Sequence, residues 1–326
     1  MKIHYKLLQI LPSQLADYIL KRKIKGQFDL SQKSGLFPRQ LAIETSSICN
    51  ARCVMCPYST RKRKKGIMAA DVHKIIIDKV ASWNPNIISI THAGLGEPLI
   101  DGSLPQKIQY EKLSFPSAKV TVYTNGNLLN EKVCNELLNS GVDIISISLN
   151  AYSKDLYEQI MGISYDSTIK NLETLLQIKE SYKNLIVNIS LIPTDLHSKE
   201  EINNFREYWI PRVDNVIIPP WISWGGYFPS NEKKIQWPCR YLWDTLIINW
   251  DGNVQICCED YNNRFSPGNI IIQTPDEIFN SRIMQDYREK QVCGNYNQPD
   301  ICRNCIESYD VAKEFWKNYS ILLKHA

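Results

Sequence analysis

Short apolar runs rich in Ile and Val recur six times between residues 40 and 218, and a stretch with helical periodicity follows most of them. The runs at 40–44, 87–91, 119–123, 144–149, 185–191 and 215–218 predict strands. The intervening stretches at 69–83, 104–113, 131–140, 165–181 and 199–209 place apolar residues three and four apart, which predicts helices. Strands joined by crossover helices lie parallel, so this alternation confines the chain to an α/β architecture. No nucleotide-binding glycine fingerprint is present. A partial, TIM-like (β/α)6 barrel is therefore expected rather than a doubly wound sheet, with its chemistry at the C-terminal ends of the strands.

After residue 218 the pattern changes. Residues 219–236 concentrate Pro, Gly, Trp and Tyr without periodicity. TLIINWDGNVQIC then reads as a hairpin turning at Asp251-Gly252, DEIFNSRIMQDYREKQV as one amphipathic helix, and QPDICRNC closes the segment. Three parts are expected: an N-terminal helical extension at 1–36, a barrel at 37–220, and a small hairpin-plus-helix domain at 221–326. The extension LLQILPSQLADYILKRKIK is amphipathic, and is read as a helix on the outside of the barrel or as a membrane- or partner-facing one. A chain of 326 residues can bury a large core without disulfides. Its net charge of +4 is too mild to imply nucleic acid as the main partner. The longest uncharged run, 216–230, is too short and too rich in Pro and Gly to span a bilayer, and no signal peptide is evident. A cytoplasmic protein is expected, in which ten cysteines are better explained by metal or catalysis than by disulfides.

The stretch CNARCVMCPYS places Cys49, Cys53 and Cys56 just past the first strand. Three thiolates so close together hold a metal and leave one coordination position open. The spacing suits an iron-sulfur cluster better than zinc, whose loops usually carry paired thiols; a structural zinc loop borrowing a fourth ligand is the alternative.

These residues and several further motifs resemble those of radical S-adenosylmethionine (SAM) enzymes, over roughly residues 40–310. The resemblance implies a [4Fe-4S] cluster on Cys49, Cys53 and Cys56 whose open iron is chelated by SAM. It puts Met55, in CVMCP, near the adenine. HAGLGEPLID resembles the glycine-rich motif of the second strand, so Gly94, Gly96 and Glu97 are implied to meet the SAM amino group. YTNGNLL implies Thr124 and Asn125 near the ribose or methionine end. SISLNAYSKDLYEQIMG implies Ser148 and Asn150 as polar contacts. Many relatives carry an arginine near the position of Met161, which leaves the partner of the SAM carboxylate open.

Cys239, Cys257, Cys302 and Cys305 form a second set, a closed site for zinc or a [4Fe-4S] cluster. The segment is similar to the SPASM or twitch extension, in the shortened single-cluster form found in sugar and aminocyclitol dehydrogenases and epimerases, which implies an auxiliary cluster. Neighbouring side chains on a strand point to opposite faces, so only one of Cys257 and Cys258 should ligate. If Cys257 does, Cys258 is either packed away as a small hydrophobe or a hydrogen-atom donor to substrate. Cys134 reads as core, and Cys293 as a packed thiol or a second candidate donor.

The run RKRKK at 61–65 reads as a solvated face or as an attractor of phosphate or acidic peptide. His92, at a strand end, is a candidate base or a satisfied structural histidine. PPWISWGGYF reads as an aromatic wall for substrate or as domain-interface packing. The resemblance implies SAM and two [4Fe-4S] clusters as cofactors, a flavodoxin- or ferredoxin-type reductant, and a carbohydrate-like small molecule as substrate for dehydrogenation or epimerisation. Modification of a ribosomally made peptide is the second expectation, and a non-enzymatic electron carrier or zinc scaffold the third.

Overall fold

The structure is a computed structural model that describes residues 12–219, 223–228, 237–303, 305, 313, 315–317 and 322–323. All six expected strands are present: β2 (Gln40–Ile43), β3 (Ser89–His92), β4 (Lys119–Thr124), β5 (Ile144–Ser148), β6 (Ile186–Ser190) and β7 (Asn215–Ile217), preceded by a short β1 (Leu36–Phe37). They pair in parallel, in sequence order, as one open sheet. The crossover helices are α2 (Ala70–Trp83), α3 (Leu104–Ser114), α4 (Glu131–Asn139), α6 (Tyr165–Lys179) and α7 (Lys199–Trp209), with α5 (Lys154–Met161) inserted before α6.

The hairpin arm TLII is more than part of an appended domain. As β8 (Thr245–Ile248) it pairs in parallel with β2, on the side away from β3. Its return arm β9 (Val254–Gln255) is antiparallel to it, and Gly252 at the turn has φ +80°. The second unit thus extends the barrel's own sheet. Arg39 and Gln40 fasten this junction through the buried Asp244 carboxylate, with Arg39 Nε 2.9 Å and Gln40 Nε2 3.1 Å from its oxygens.

The expected single helix of the C-terminal segment is two: α9 (Pro275–Phe279) and α10 (Arg282–Val292), the latter following the four-residue α8 (Tyr241–Asp244) and α9 in chain order. Ser281 breaks them by accepting a side-chain hydrogen bond from Met284 N as the cap of α10. Asn280 is meanwhile engaged with both backbone groups of Leu36. The N-terminal helix α1 (Ser13–Ser34) buries Leu20, Ile24, Phe28 and Ser31 and packs against α10, with Phe28 edge-on to Trp243. That resolves the extension as a packed helix; residues 1–11, which begin the expected one, lie outside those described. No helix among the described residues is long and apolar enough to cross a membrane.

Alternation along the strands divides the sheet into two contrasting faces. Leu41, Ile43, Ile90, Val120, Val122, Ile145, Ile147, Val187 and Ile189 share one face and are fully buried under the helices. The other face, toward the barrel interior, carries Thr91, Thr121, Tyr123, Ser146, Ser148, Asn188 and Ser190.

His92 belongs to the apolar, helix-facing side. It is 0% exposed, and its Nε2 lies 2.9 Å from Glu111 on α3, whose other oxygen meets His73 Nε2 of α2 at 2.7 Å. The expectation of a base at the barrel mouth is therefore corrected: His92 ties two helices to the sheet. Burial alone would raise the Glu111 carboxyl; His92 and His73 outweigh it and hold it at about 2. Unfolding returns the group toward its ordinary 4.5, so its contribution to stability is complete above that value and is lost as pH falls toward 2. Glu111→Gln is expected to cost about 3–5 kcal/mol, read by denaturant unfolding of the metal-free protein near neutral pH.

Candidate functional site

The loop carrying Cys49, Cys53 and Cys56 is held on three sides. Arg52 N and Val54 N donate to Met161 O and Ile160 O at the end of α5, each at 2.9 Å. Cys49 N donates to the Tyr58 hydroxyl at 2.9 Å, and Cys56 N closes a turn on Cys53 O. Gly162 ends α5 in the left-handed conformation, φ +65°, which favours glycine. Met161 puts its thioether 3.5 Å from Cys53 Sγ and accepts from Asn150 Nδ2.

Burial raises all three thiols: Cys56 to about 11, Cys49 upward, and Cys53 most, with Cys56 and Cys49 as like-charged neighbours adding to its rise. Three thiols close enough to oppose one another's ionisation are a set that a cationic group would satisfy at once, releasing protons as it bound.

The GEP stretch lies against the strand that leads into this loop. A Cβ on Gly96 would stand 2.0 Å from Ser46 O, and one on Gly94 2.7 Å from Glu44 Cγ, so only glycine admits the approach. Glu97 N donates to Ile48 O at 2.8 Å. The Glu97 carboxylate, 2% exposed, accepts from Thr124 Oγ1 and Leu99 N on one oxygen and from Asn125 N on the other. Burial raises this carboxyl against the three donors. Glu97 is thus first a clasp between the ends of β3 and β4, with one lone pair of Oε2 left for a ligand.

Asn125 continues the chain of contacts by donating to Asn50 Oδ1 at 2.7 Å, and Asn50 donates to Asn127 Oδ1 at 3.1 Å. Asn150, at φ +61°, accepts from Ile192 N on its amide oxygen and donates Nδ2 to Met161 Sδ, so its side chain ties the ends of β5 and β6 to the end of α5. Ser148 sits partly exposed on the interior face. Asn50 and Tyr58 were not singled out from the sequence, although an amide directly after the first cysteine was there to see.

The basic run proves structural at two of its positions. Arg63 grips the buried Glu44 carboxylate bidentately and donates to Tyr261 O, while Arg61 lies over the Tyr58 ring and donates to Ser47 O at 2.6 Å. Lys62, Lys64 and Lys65 are exposed.

In the second unit Cys239, Cys257, Cys302 and Cys305 line one cavity walled by Leu242, Ile256 and Ile301. All four are buried, and burial drives Cys302 to about 12 and Cys257 well above its ordinary range. Gln291 of α10, which no sequence signal marked, bridges the site by accepting from Cys239 N and reaching Cys302 Sγ. Cys257 points into the cavity and Cys258 does not: it is exposed, which removes the packed-hydrophobe reading. Cys293 is exposed at the end of α10, not packed, and Cys134 is buried in the core. The aromatic stretch, outside its undescribed residues 220–222, lies at the junction of the two units, where Trp224 and Tyr227 meet Tyr261 edge-on.

The four-thiol cavity and the three-thiol loop at a barrel mouth are matched by known sequence families. The radical SAM superfamily profile matches residues 43–207, half of the chain. The chain belongs to the radical SAM superfamily. Residues 239–306 match the SPASM iron-sulfur cluster-binding domain. As a radical SAM enzyme it uses SAM and a [4Fe-4S] cluster, with auxiliary iron-sulfur binding in the SPASM domain.

The chain is 24% identical over 266 residues to the S-adenosyl-L-methionine-dependent 2-deoxy-scyllo-inosamine dehydrogenase of Niallia circulans, covering 81% of this chain and 91% of that protein. Its fold is like that of BtrN in complex with AdoMet and 2-DOIA, with TM-score 0.59 at 20% identity, over 88% of this chain and 99% of that one. It is also like Streptococcus suis SuiB bound to precursor peptide SuiA, with TM-score 0.64 at 16% identity, over 84% of this chain and 71% of that one.

Proposed function

We propose that this radical SAM enzyme oxidises or epimerises a carbohydrate-like small molecule: a sugar, an aminocyclitol or a nucleotide-linked sugar. The observation that carries this reading is the interior face of the barrel, where Thr91, Thr121, Tyr123, Ser146, Ser148, Asn188 and Ser190 offer hydroxyls and amides, while Lys119 of the same face stands at the start of its strand and is paired with Asp143. Such a lining suits a neutral, many-hydroxyl substrate, and the half-exposed Tyr123 adds an aromatic surface for its C–H faces. Likeness over most of the chain to an aminocyclitol dehydrogenase supports the same class.

In this reading Cys49, Cys53 and Cys56 hold the SAM-binding cluster, Met55 flanks the adenine, and Gly94, Gly96 and the free lone pair of Glu97 receive the amino group. When bound and reduced, the cluster and SAM supply a 5′-deoxyadenosyl radical. The chain's own part is to orient substrate by the interior hydroxyls and amides. Cys239, Cys257, Cys302 and Cys305 hold the auxiliary cluster. Cys258, exposed in the turn that follows β9, is the candidate that returns hydrogen from the second side of an inverted carbon. A flavodoxin- or ferredoxin-type protein supplies the electron.

The second reading, modification of a ribosomally made peptide, draws on the likeness to SuiB, whose structure holds a precursor peptide. The two are separated by incubating the reduced enzyme with deuterated sugars and aminocyclitols and, in parallel, with deuterated peptides. Deuterium in 5′-deoxyadenosine from the first set alone supports the proposal, and from the peptides alone sinks it.

Cys257→Ser is expected to lower bound iron from about eight to about four per chain, while Cys258→Ser leaves it near eight, as measured by iron analysis after anaerobic reconstitution. If inversion is the reaction, a Cys258→Ser enzyme that still inverts in heavy water with the usual solvent label removes the donor role.

A further inference from the structure

The turn Ser223–Phe228 joins the two thiol sites through one strained residue. Trp224 has φ +50°, a conformation that a bulky side chain adopts only when its surroundings impose it. Its indole Nε1 donates to Met55 O at 2.8 Å, in the turn between Cys53 and Cys56. Its ring meets Tyr261 edge-on, and Tyr261 O in turn receives Arg63 Nε. The next residue anchors the other end: Gly225, at φ +63°, donates its N–H to the Glu259 carboxylate at 2.6 Å, and a Cβ there would stand 3.0 Å from Ile301 Cβ. Glu259 and Ile301 both wall the four-thiol cavity. Within the turn, Gly226 N and Phe228 N donate to Ser223 O, so it has little freedom of its own.

We propose that Trp224 is a positioning residue for SAM: from the SPASM side it fixes the backbone of the turn between Cys53 and Cys56, and so sets the shape of the loop on which SAM is received. No other described side chain of the second unit is hydrogen-bonded to this turn. The turn's own bond, Cys56 N to Cys53 O, is a single closure at 3.0 Å. Val54 N ties the turn to α5 through Ile160 O, and Trp224, a strained and therefore committed residue, adds the attachment at Met55 O from the opposite unit, which holds the four-residue turn in one conformation. The inference rests on the assignment of residues 49–56 to the SAM-binding cluster and is independent of the substrate class.

The test is Trp224→Phe, which keeps an aromatic ring, though a smaller one, and deletes the N–H. In the iron-free protein, amide hydrogen exchange across residues 49–60 is expected to rise about fivefold, the weight of one ordinary hydrogen bond. In the reconstituted enzyme the KM for SAM is expected to rise by a similar factor with kcat changed less than about twofold, and iron to stay near eight per chain. Gly225→Ala, which strains the anchor without touching Trp224, is expected to move exchange and KM in the same direction. Unchanged exchange across 49–60 in Trp224→Phe overturns the proposal, as does a loss of auxiliary iron that accounts for the change in KM. Were the loop assignment itself wrong, the unaltered enzyme would fail to cleave SAM, which separates that failure from this one.

Discussion

Replacing Cys49, Cys53 and Cys56 together with alanine is expected to abolish formation of 5′-deoxyadenosine and to leave about four irons per chain where the intact protein holds about eight. The prediction separates the two thiol sets because they arise from different parts of the fold. The first set lies on one loop between β2 and α2 and is tied to α5 through Met161 and Ile160. The second comes from residues 239, 257, 302 and 305, which are gathered around β9 and α10. Nothing in the second cavity is built from the first loop, so its four irons should remain. Cleavage of SAM by the triple variant would mean that some other site holds the reactive cluster.

Gly96→Ala is expected to lower the rate of SAM cleavage about 100-fold while leaving the protein folded. The added carbon would stand 2.0 Å from Ser46 O, 2.6 Å from Ser46 C and 2.7 Å from Ser47 Cα. All three are backbone atoms, so no side chain can swing aside, and one of the two loops must retreat. The bond from Glu97 N to Ile48 O ties those loops directly before Cys49, so retreat moves the first thiol as well. The strain itself is expected to cost about 1–3 kcal/mol, a sum that a large core tolerates. Gly102→Ala is the matched control, since a Cβ there meets nothing within 4 Å. The comparison is the rate of 5′-deoxyadenosine formation under dithionite in the two variants, with circular dichroism to establish that both are folded. Equal rates would show that the approach of the GEP loop does not govern the site.

The parallel strands were legible because strands buried on one face by helices are written as Ile and Val runs, and their ends fell within two residues of those expected. The same sequence hid the partner of TLII. Hairpin chemistry at Asp251-Gly252 is local and readable, whereas the parallel pairing of β8 with β2 depends on Arg39 and Asp244, which are separated by more than two hundred residues. The helix α5 was passed over because its eight residues lie inside a motif read for its polar contacts.

At the site, the cysteine spacing and the glycines were visible, since each answers to a strict steric or ligand demand. The roles of neighbours were not. Glu97 and Asn150 are occupied largely with holding strand ends together, and His92 turned outward because its position in the register places it beside Ile43 and Val122, not beside Thr91. Alternation decides that one-residue difference, and the strand's register can be fixed only by its partners. The expectation that alternation along a strand would decide between Cys257 and Cys258 is corrected, because β9 ends at Gln255 and both lie beyond it; Cys257 lines the cavity while Cys258 is exposed.

The loop's claim to hold a SAM-receptive cluster is tested most directly by electron paramagnetic resonance on a chain in which Cys239, Cys257, Cys302 and Cys305 are replaced by alanine. Anaerobically reconstituted and reduced, it should carry about four irons and give a spectrum that shifts when SAM is added. A spectrum indifferent to SAM, or zinc in place of iron at residues 49–56, would contradict it.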